Sequence, residues 1–110
     1  MYNILADENI PYAAEAFSEI GSVQLINGRD ITNSLLKSID ILIIRSITRV
    51  DKKLLNGTAV KFVGTTTIGS DHIDIDYLVQ NKIGFASAPG CNADSVAVYI
   101  LAVLLKIALE

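Results

Sequence analysis

One cysteine, one histidine, two prolines and no tryptophan stand among the 110 residues, and each shortage closes off a class of explanation. A lone Cys91 cannot form an internal disulfide or a cysteine-cluster metal site, which fits a reducing cytosol. With His72 as the single histidine, no second imidazole exists to activate that thiol, so Cys91 reads as a small packing residue. Basic residues never run beyond the pair Lys52-Lys53, and the formal net charge is −3. The concentrated cationic face that nucleic-acid phosphates demand is therefore missing. The opening "MYNILADENIP" has neither the basic n-region nor the apolar h-region of a secretory signal. The apolar run that ends at Leu105 reaches only about half of the ~20 residues needed to span a bilayer. The seven glycines are scattered and form no Gly-x-Gly-x-x-Gly, so the dinucleotide fingerprint is absent. These absences predict a soluble, cytoplasmic chain that binds no nucleic acid and enters no membrane.

What is abundant is apolar: 51% of the residues are hydrophobic, more than a free-standing domain of this length needs, so part of that surface is expected to be covered by something else. Five short runs have strand length and β-branched or aromatic content: Tyr2–Ala6, Val23–Ile26, Asp40–Arg45, Lys61–Thr65 and Ile83–Ser87. Helical segments are predicted between them. The first, from about Ile10 to Ile20, has Asn9 as N-cap, Pro11 in the first turn, Gly21 past its end, and Ala13, Phe17 and Ile20 on one face. Thr32–Ser38, Lys52–Asn56 and Ile75–Asn81 are shorter, with Thr32 and Asp74 able to cap and Asp51 able to favour a helix start. Strands alternating with helices imply parallel pairing through crossovers. The expected fold is α/β, a flavodoxin-like doubly wound five-stranded parallel sheet in the order 2-1-3-4-5.

After the fifth strand, "APGCNADSVAVYILAVLLKIALE" predicts a turn at Pro89-Gly90 and a long helix capped near Asn92, with Asp94 at the positive end of its dipole. That helix is apolar almost all round, so one sheet face cannot bury it. It is expected to pass between domains and to build a homodimer through residues 92–109. Residues 1–90 then form one domain and 91–110 begin a connection to a missing one. The chain is expected to be a fragment, stopping in mid-helix, with Leu109-Glu110 open to being a cloning remnant.

Ligands of an open parallel sheet bind outside the carboxyl ends of its strands. Four loops reach that edge: Asp7-Glu8-Asn9, Arg45-Ser46, Thr65 to Ser70 and Ala88 to Asn92. Ser46, Thr67 and Gly69 could together hold a carboxylate or phosphate with hydroxyls and backbone N–H groups. The same residues could equally serve the chain itself, the hydroxyls by capping turns and Gly69 by permitting a positive φ. Arg45 could ligate an anion or pair with Asp7 or Glu8. Asp7-Glu8 resembles the acidic pair of a response-regulator receiver, but Arg45-Ser46 stands where the phosphoacceptor aspartate belongs and no lysine follows strand five. In "SDHIDID" the tight spacing favours capping by Asp71 or Asp74 and a local hydrogen bond for His72 over a metal site.

The stretches "GTTTIGSDHIDID" and "APGCNADSVA", together with "ILADENIPYA" and "RSITRV", resemble the N-terminal substrate domain of the D-isomer-specific 2-hydroxyacid dehydrogenases. The likeness runs over essentially the whole chain. It implies an NAD-dependent oxidoreductase acting on a phosphorylated 2-hydroxy acid, with Ser46 and Thr67 at the substrate-binding positions, Gly69 in the loop that offers N–H groups to the carboxylate, and Asn92-Ala93 opening the helix toward the nucleotide domain. The family's catalytic arginine, glutamate and histidine, and its NAD loop, have no counterpart in these residues, so the 110-residue chain by itself is expected to be inactive. Two readings rival this one: another dehydrogenase of the same family, separated by substrate preference among phosphorylated 2-hydroxy acids, and a stand-alone, non-catalytic flavodoxin-like binding or dimerisation module, separated by a downstream Gly-x-Gly-x-x-Gly.

Overall fold

The computed structural model describes residues 2–10, 17–18, 21–65 and 72–87. Five parallel strands form one sheet: β1 (Tyr2–Asp7), β2 (Gly21–Ile26), β3 (Ile41–Ile44), β4 (Phe62–Thr65) and β5 (Gly84–Ser87), in the order β2-β1-β3-β4-β5. The expected order is therefore the observed one. Two central strands carry continuous apolar sequence because both of their faces are covered. Ile41, Leu42, Ile43 and Ile44 are all buried, as are Ile4, Leu5 and Ala6 in β1.

Register groups these side chains by face. Leu5 lies beside Leu42 and Leu42 beside Val63, and this row packs with Ile31, Leu36, Leu55 and Leu78 from the crossover segments. On the alternate positions, Ile4 pairs with Ile41 and Ile41 with Phe62. These are buried too, so the second face is also covered. Phe17, from the predicted first helix, is 1% exposed; most of that segment and all of residues 88–110 lie outside the described residues. The interdomain and dimer helix expected over 92–109 falls there, as does Cys91.

The short connections behave unequally. An α-helix spans Lys52–Leu55, and Asp51 accepts a hydrogen bond from the Leu54 N–H at 3.1 Å. A second helix spans Ile75–Gln80, and Asp74 caps it through the Tyr77 N–H at 3.1 Å. Both acidic residues satisfy N–H groups that a helix start leaves without partners. Over Thr32–Ser38 the chain makes only a 3₁₀ turn, Asn33–Leu36, and Thr32 gives no side-chain cap. Asn33 ties that turn to the Lys52–Leu55 helix instead, donating from Nδ2 to the carbonyls of Leu54 and Asn56, both at 2.9 Å. A further 3₁₀ turn, Gly28–Asp30, follows β2 directly and was not expected. Gly21 opens β2 opposite Tyr2, where a Cβ would strike the Tyr2 carbonyl oxygen.

Candidate functional site at the carboxyl edge of the sheet

The carboxyl ends of β1, β2 and β3 converge. Asp7 ends β1 fully buried, and its Oδ2 lies 3.0 Å from Arg45 Nε in the residue after β3. The contact is an ion pair without an aligned hydrogen bond, since neither atom meets hydrogen-bond geometry. The other carboxylate oxygen, Oδ1, accepts from the Asn9 N–H at 2.8 Å. A carboxylate carried out of water in this way is tolerable only with a cation and donors around it.

The turn after β2 closes over this pair. Gly28 is buried against Asp7: a Cβ there would stand 2.3 Å from Asp7 Oδ2 and 2.9 Å from Ile47 Cδ1. The turn is pinned from the far side by Thr48, whose buried hydroxyl donates to the Gly28 carbonyl at 3.1 Å. From within, Asn27 Oδ1 accepts from the Arg29 N–H at 3.0 Å. Between these loops lies a cleft of about 330 Å³ lined by Asn9, Asn27, Arg29, Arg45 and Ile47. A larger hollow of about 750 Å³, lined by Asn33, Lys37, Lys52, Lys53 and Asn56, is built from crossover segments rather than strand ends and takes no part in the site.

Ser46 is exposed in the turn that leaves β3, directly after the arginine that pairs with Asp7. Thr67 and Gly69 lie outside the described residues. The two ends of the segment that contains them are held together. Thr65, buried at the end of β4, is hydrogen-bonded through Oγ1 to His72 Nε2 at 3.2 Å. Val50 and Ile73 form a parallel bridge, with the Val50 N–H donating to the His72 carbonyl and the Asp74 N–H to the Val50 carbonyl, both at 2.8 Å. The loops after β3 and β4 are thereby laced to one another. Among the described residues, no three His, Cys, Asp or Glu side chains come close enough to hold a metal ion. No described helix is long and apolar enough to cross a membrane.

The sequence reasoning missed the loop after β2, which brings Asn27 and Arg29 to the cleft. Its signal was the Asn-Gly step at the end of a strand, a turn former located on the ligand-binding edge.

Comparison with known proteins places this edge in context. The sequence model of the D-isomer specific 2-hydroxyacid dehydrogenase catalytic domain matches residues 3–100. A curated relative, erythronate-4-phosphate dehydrogenase of Chromohalobacter salexigens, is 57% identical over 107 residues, which are 97% of this chain and 28% of that protein. Among solved structures, the PH0520 protein from Pyrococcus horikoshii OT3 superposes with a TM-score of 0.72 at 18% identity, covering 82% of this chain and 28% of its own. The cofactor (NAD+) bound 3-phosphoglycerate dehydrogenase of Entamoeba histolytica does so with a TM-score of 0.68 at 25% identity, covering 81% and 33%. The chain thus spans less than a third of the length of these relatives, and it belongs to the D-isomer specific 2-hydroxyacid dehydrogenase family through that family's catalytic domain.

Proposed function

We propose that this chain is the substrate-binding part of an NAD-dependent dehydrogenase that oxidises 4-phospho-D-erythronate to 2-oxo-3-hydroxy-4-phosphobutanoate, on the route to pyridoxal phosphate. The observation that carries the reading is the 57% identity with an erythronate-4-phosphate dehydrogenase over 97% of the chain. Ser46, Thr67, Gly69 and Arg45 are assigned to the substrate: hydroxyls and backbone N–H groups for its carboxylate and C2 oxygen, and the guanidinium for its negative charge. The exposure of Ser46 beside Arg45 at the carboxyl edge supports that role.

This chain carries nothing that fits a nicotinamide dinucleotide, since the glycine-rich turn such a group requires is absent from its sequence. NAD, which would accept hydride from C2, is assigned to a further domain reached through residues 91–110, with residues 92–109 also assigned to a homodimer contact in the cytoplasm. The work of residues 1–90 is to bind and orient the substrate.

The test is turnover by the full-length protein, followed as NADH formation from 4-phospho-D-erythronate and from 3-phosphoglycerate. Activity confined to the four-carbon acid is expected. Preference for the three-carbon acid would move the protein to a different member of the family, and no turnover of either would return the non-catalytic reading.

A further inference from the structure

We propose that the cleft lined by Asn9, Asn27, Arg29, Arg45 and Ile47 is a phosphate subsite, with Arg29 supplying its uncompensated positive charge; that the phosphate is the substrate's own rests on the function proposed above. The argument is one of accounting for charges and donors. The chain has three arginines. Arg45 is neutralised by Asp7 at 3.0 Å and Arg49 by Asp51 at 3.3 Å. Arg29 has no carboxylate partner among the described residues, and of the two cationic side chains lining the cleft it is the one with charge to spare.

The neutral groups point to the same ligand class. Asn27 spends its carbonyl oxygen on the Arg29 N–H, which leaves its amide nitrogen, a double donor, for the cleft. Arg45 approaches Asp7 through Nε at 3.0 Å, and a guanidinium has four further N–H donors on its terminal nitrogens. Asp7, which pairs with Arg45, does not line the cleft and is fully buried, with Arg45 at one oxygen and the Asn9 N–H at the other. The exposed acids Glu8 and Asp30 do not line the cleft. Among the described residues, the lining combines two guanidiniums with the side-chain amides of Asn9 and Asn27 and includes no carboxylate, a set that suits an oxyanion, and the planar guanidinium suits the paired oxygens of a phosphate monoester.

The backbone of the turn that carries Arg29 is also held in place. Thr48 holds the Gly28 carbonyl and Asn27 holds the Arg29 peptide, so little ordering is left for a ligand to impose. Arg45 lines the cleft, and Ser46, assigned to the acid end of the substrate, directly follows it in the chain. On this reading the acid end of the substrate is held at Ser46 and its phosphate end in the cleft that Arg29 lines.

The experiment uses the full-length protein and two readouts. Inorganic phosphate, titrated calorimetrically, should bind the wild type and lose about tenfold or more in affinity in Arg29→Gln, the scale of a charge-assisted contact. The ratio of kcat/KM for 4-phospho-D-erythronate over unphosphorylated D-erythronate should fall by roughly 10- to 100-fold in Arg29→Gln through KM, and Arg29→Lys should recover part of it. Phosphate affinity unaltered by Arg29→Gln overturns the subsite whether or not the enzyme turns over. Weakened phosphate binding with an unchanged ratio overturns its assignment to the substrate and points to free phosphate instead. If the wild type oxidises neither phosphorylated acid, the proposed function fails while the titration still decides the anion site.

Discussion

At the scale of single residues, the most constrained position is Gly28. Its φ is unexceptional, and what it provides is close approach: an added methyl would meet Asp7 Oδ2 at 2.3 Å and Ile47 Cδ1 at 2.9 Å. Asp7 cannot retreat without leaving Arg45 and the Asn9 N–H that balance its buried charge. Gly28→Ala is therefore expected to lower stability by roughly 2–3 kcal/mol, the upper part of the overpacking range, because it disturbs an ion pair as well as a packing contact. Urea unfolding measures this directly, and an unchanged midpoint would mean that the three strand ends do not meet as described. Arg45 illustrates what a sequence can and cannot yield at this scale. Its alternatives, an anion ligand or a partner for Asp7, were visible from its place at a strand end. That it pairs with Asp7 through Nε while still lining the cleft depends on distances across three strands, which spacing along the chain does not encode.

Among the elements, the signals that proved readable were those whose physics is local. Asp51 and Asp74 cap their helices from the side chain, each over an i to i+3 bond. A residue of the right type directly ahead of a helical turn points to such a bond, as it did for Asp74, while Asp51 was expected only to favour the helix start and caps it as well. Asp51→Ala and Asp74→Ala should each cost about 1 kcal/mol of stability, and the Asn replacements only a few tenths, since Asn still presents an oxygen to the same N–H. Thermal unfolding of the four variants checks the ordering. A loss as large in Asp74→Asn as in Asp74→Ala would mean that charge, not the hydrogen bond, is what matters there. Thr32 has the right chemistry for a cap and makes none, because what fixes the following turn is Asn33, bonded to carbonyls more than twenty residues away. A long-range tie of this kind leaves no mark in local sequence. The second 3₁₀ turn, Gly28–Asp30, was missed for a different reason: a turn of three residues is too short to show periodicity.

For the molecule as a whole, the strand order was legible because several local facts agreed: five apolar runs, helical spacers between them, and the parallel pairing those spacers require. The register was not, since any of these runs could slide by two residues and keep its buried face. In the structure, β1, β3 and β4 are flanked on both sides, while β2 and β5 end the order, and in β2 only the first residue, Gly21, is buried, the rest being half-buried or exposed. The candidate site is thus anchored partly on two interior strands, β1 and β3, and partly on an edge, β2. Local opening should follow the same gradient, because an edge strand separates by losing one ladder and little buried area, whereas a central strand opens only with the sheet. Amide hydrogen exchange is expected to be slowest at Leu5, Leu42 and Ile43, and faster in β2 and β5 by on the order of tenfold or more. The turn carrying Asn27 and Arg29 should be slower than β2 itself suggests, as Thr48 ties it to the loop after β3. Exchange of the Arg29 amide, bonded to Asn27 Oδ1, reads that tie, and Thr48→Val, which removes the hydroxyl and keeps the shape, should speed it up. Uniform rates across the five strands would deny the gradient. An Arg29 amide indifferent to Thr48→Val would mean that the cleft is held by β2 alone and is free to open at the edge of the sheet.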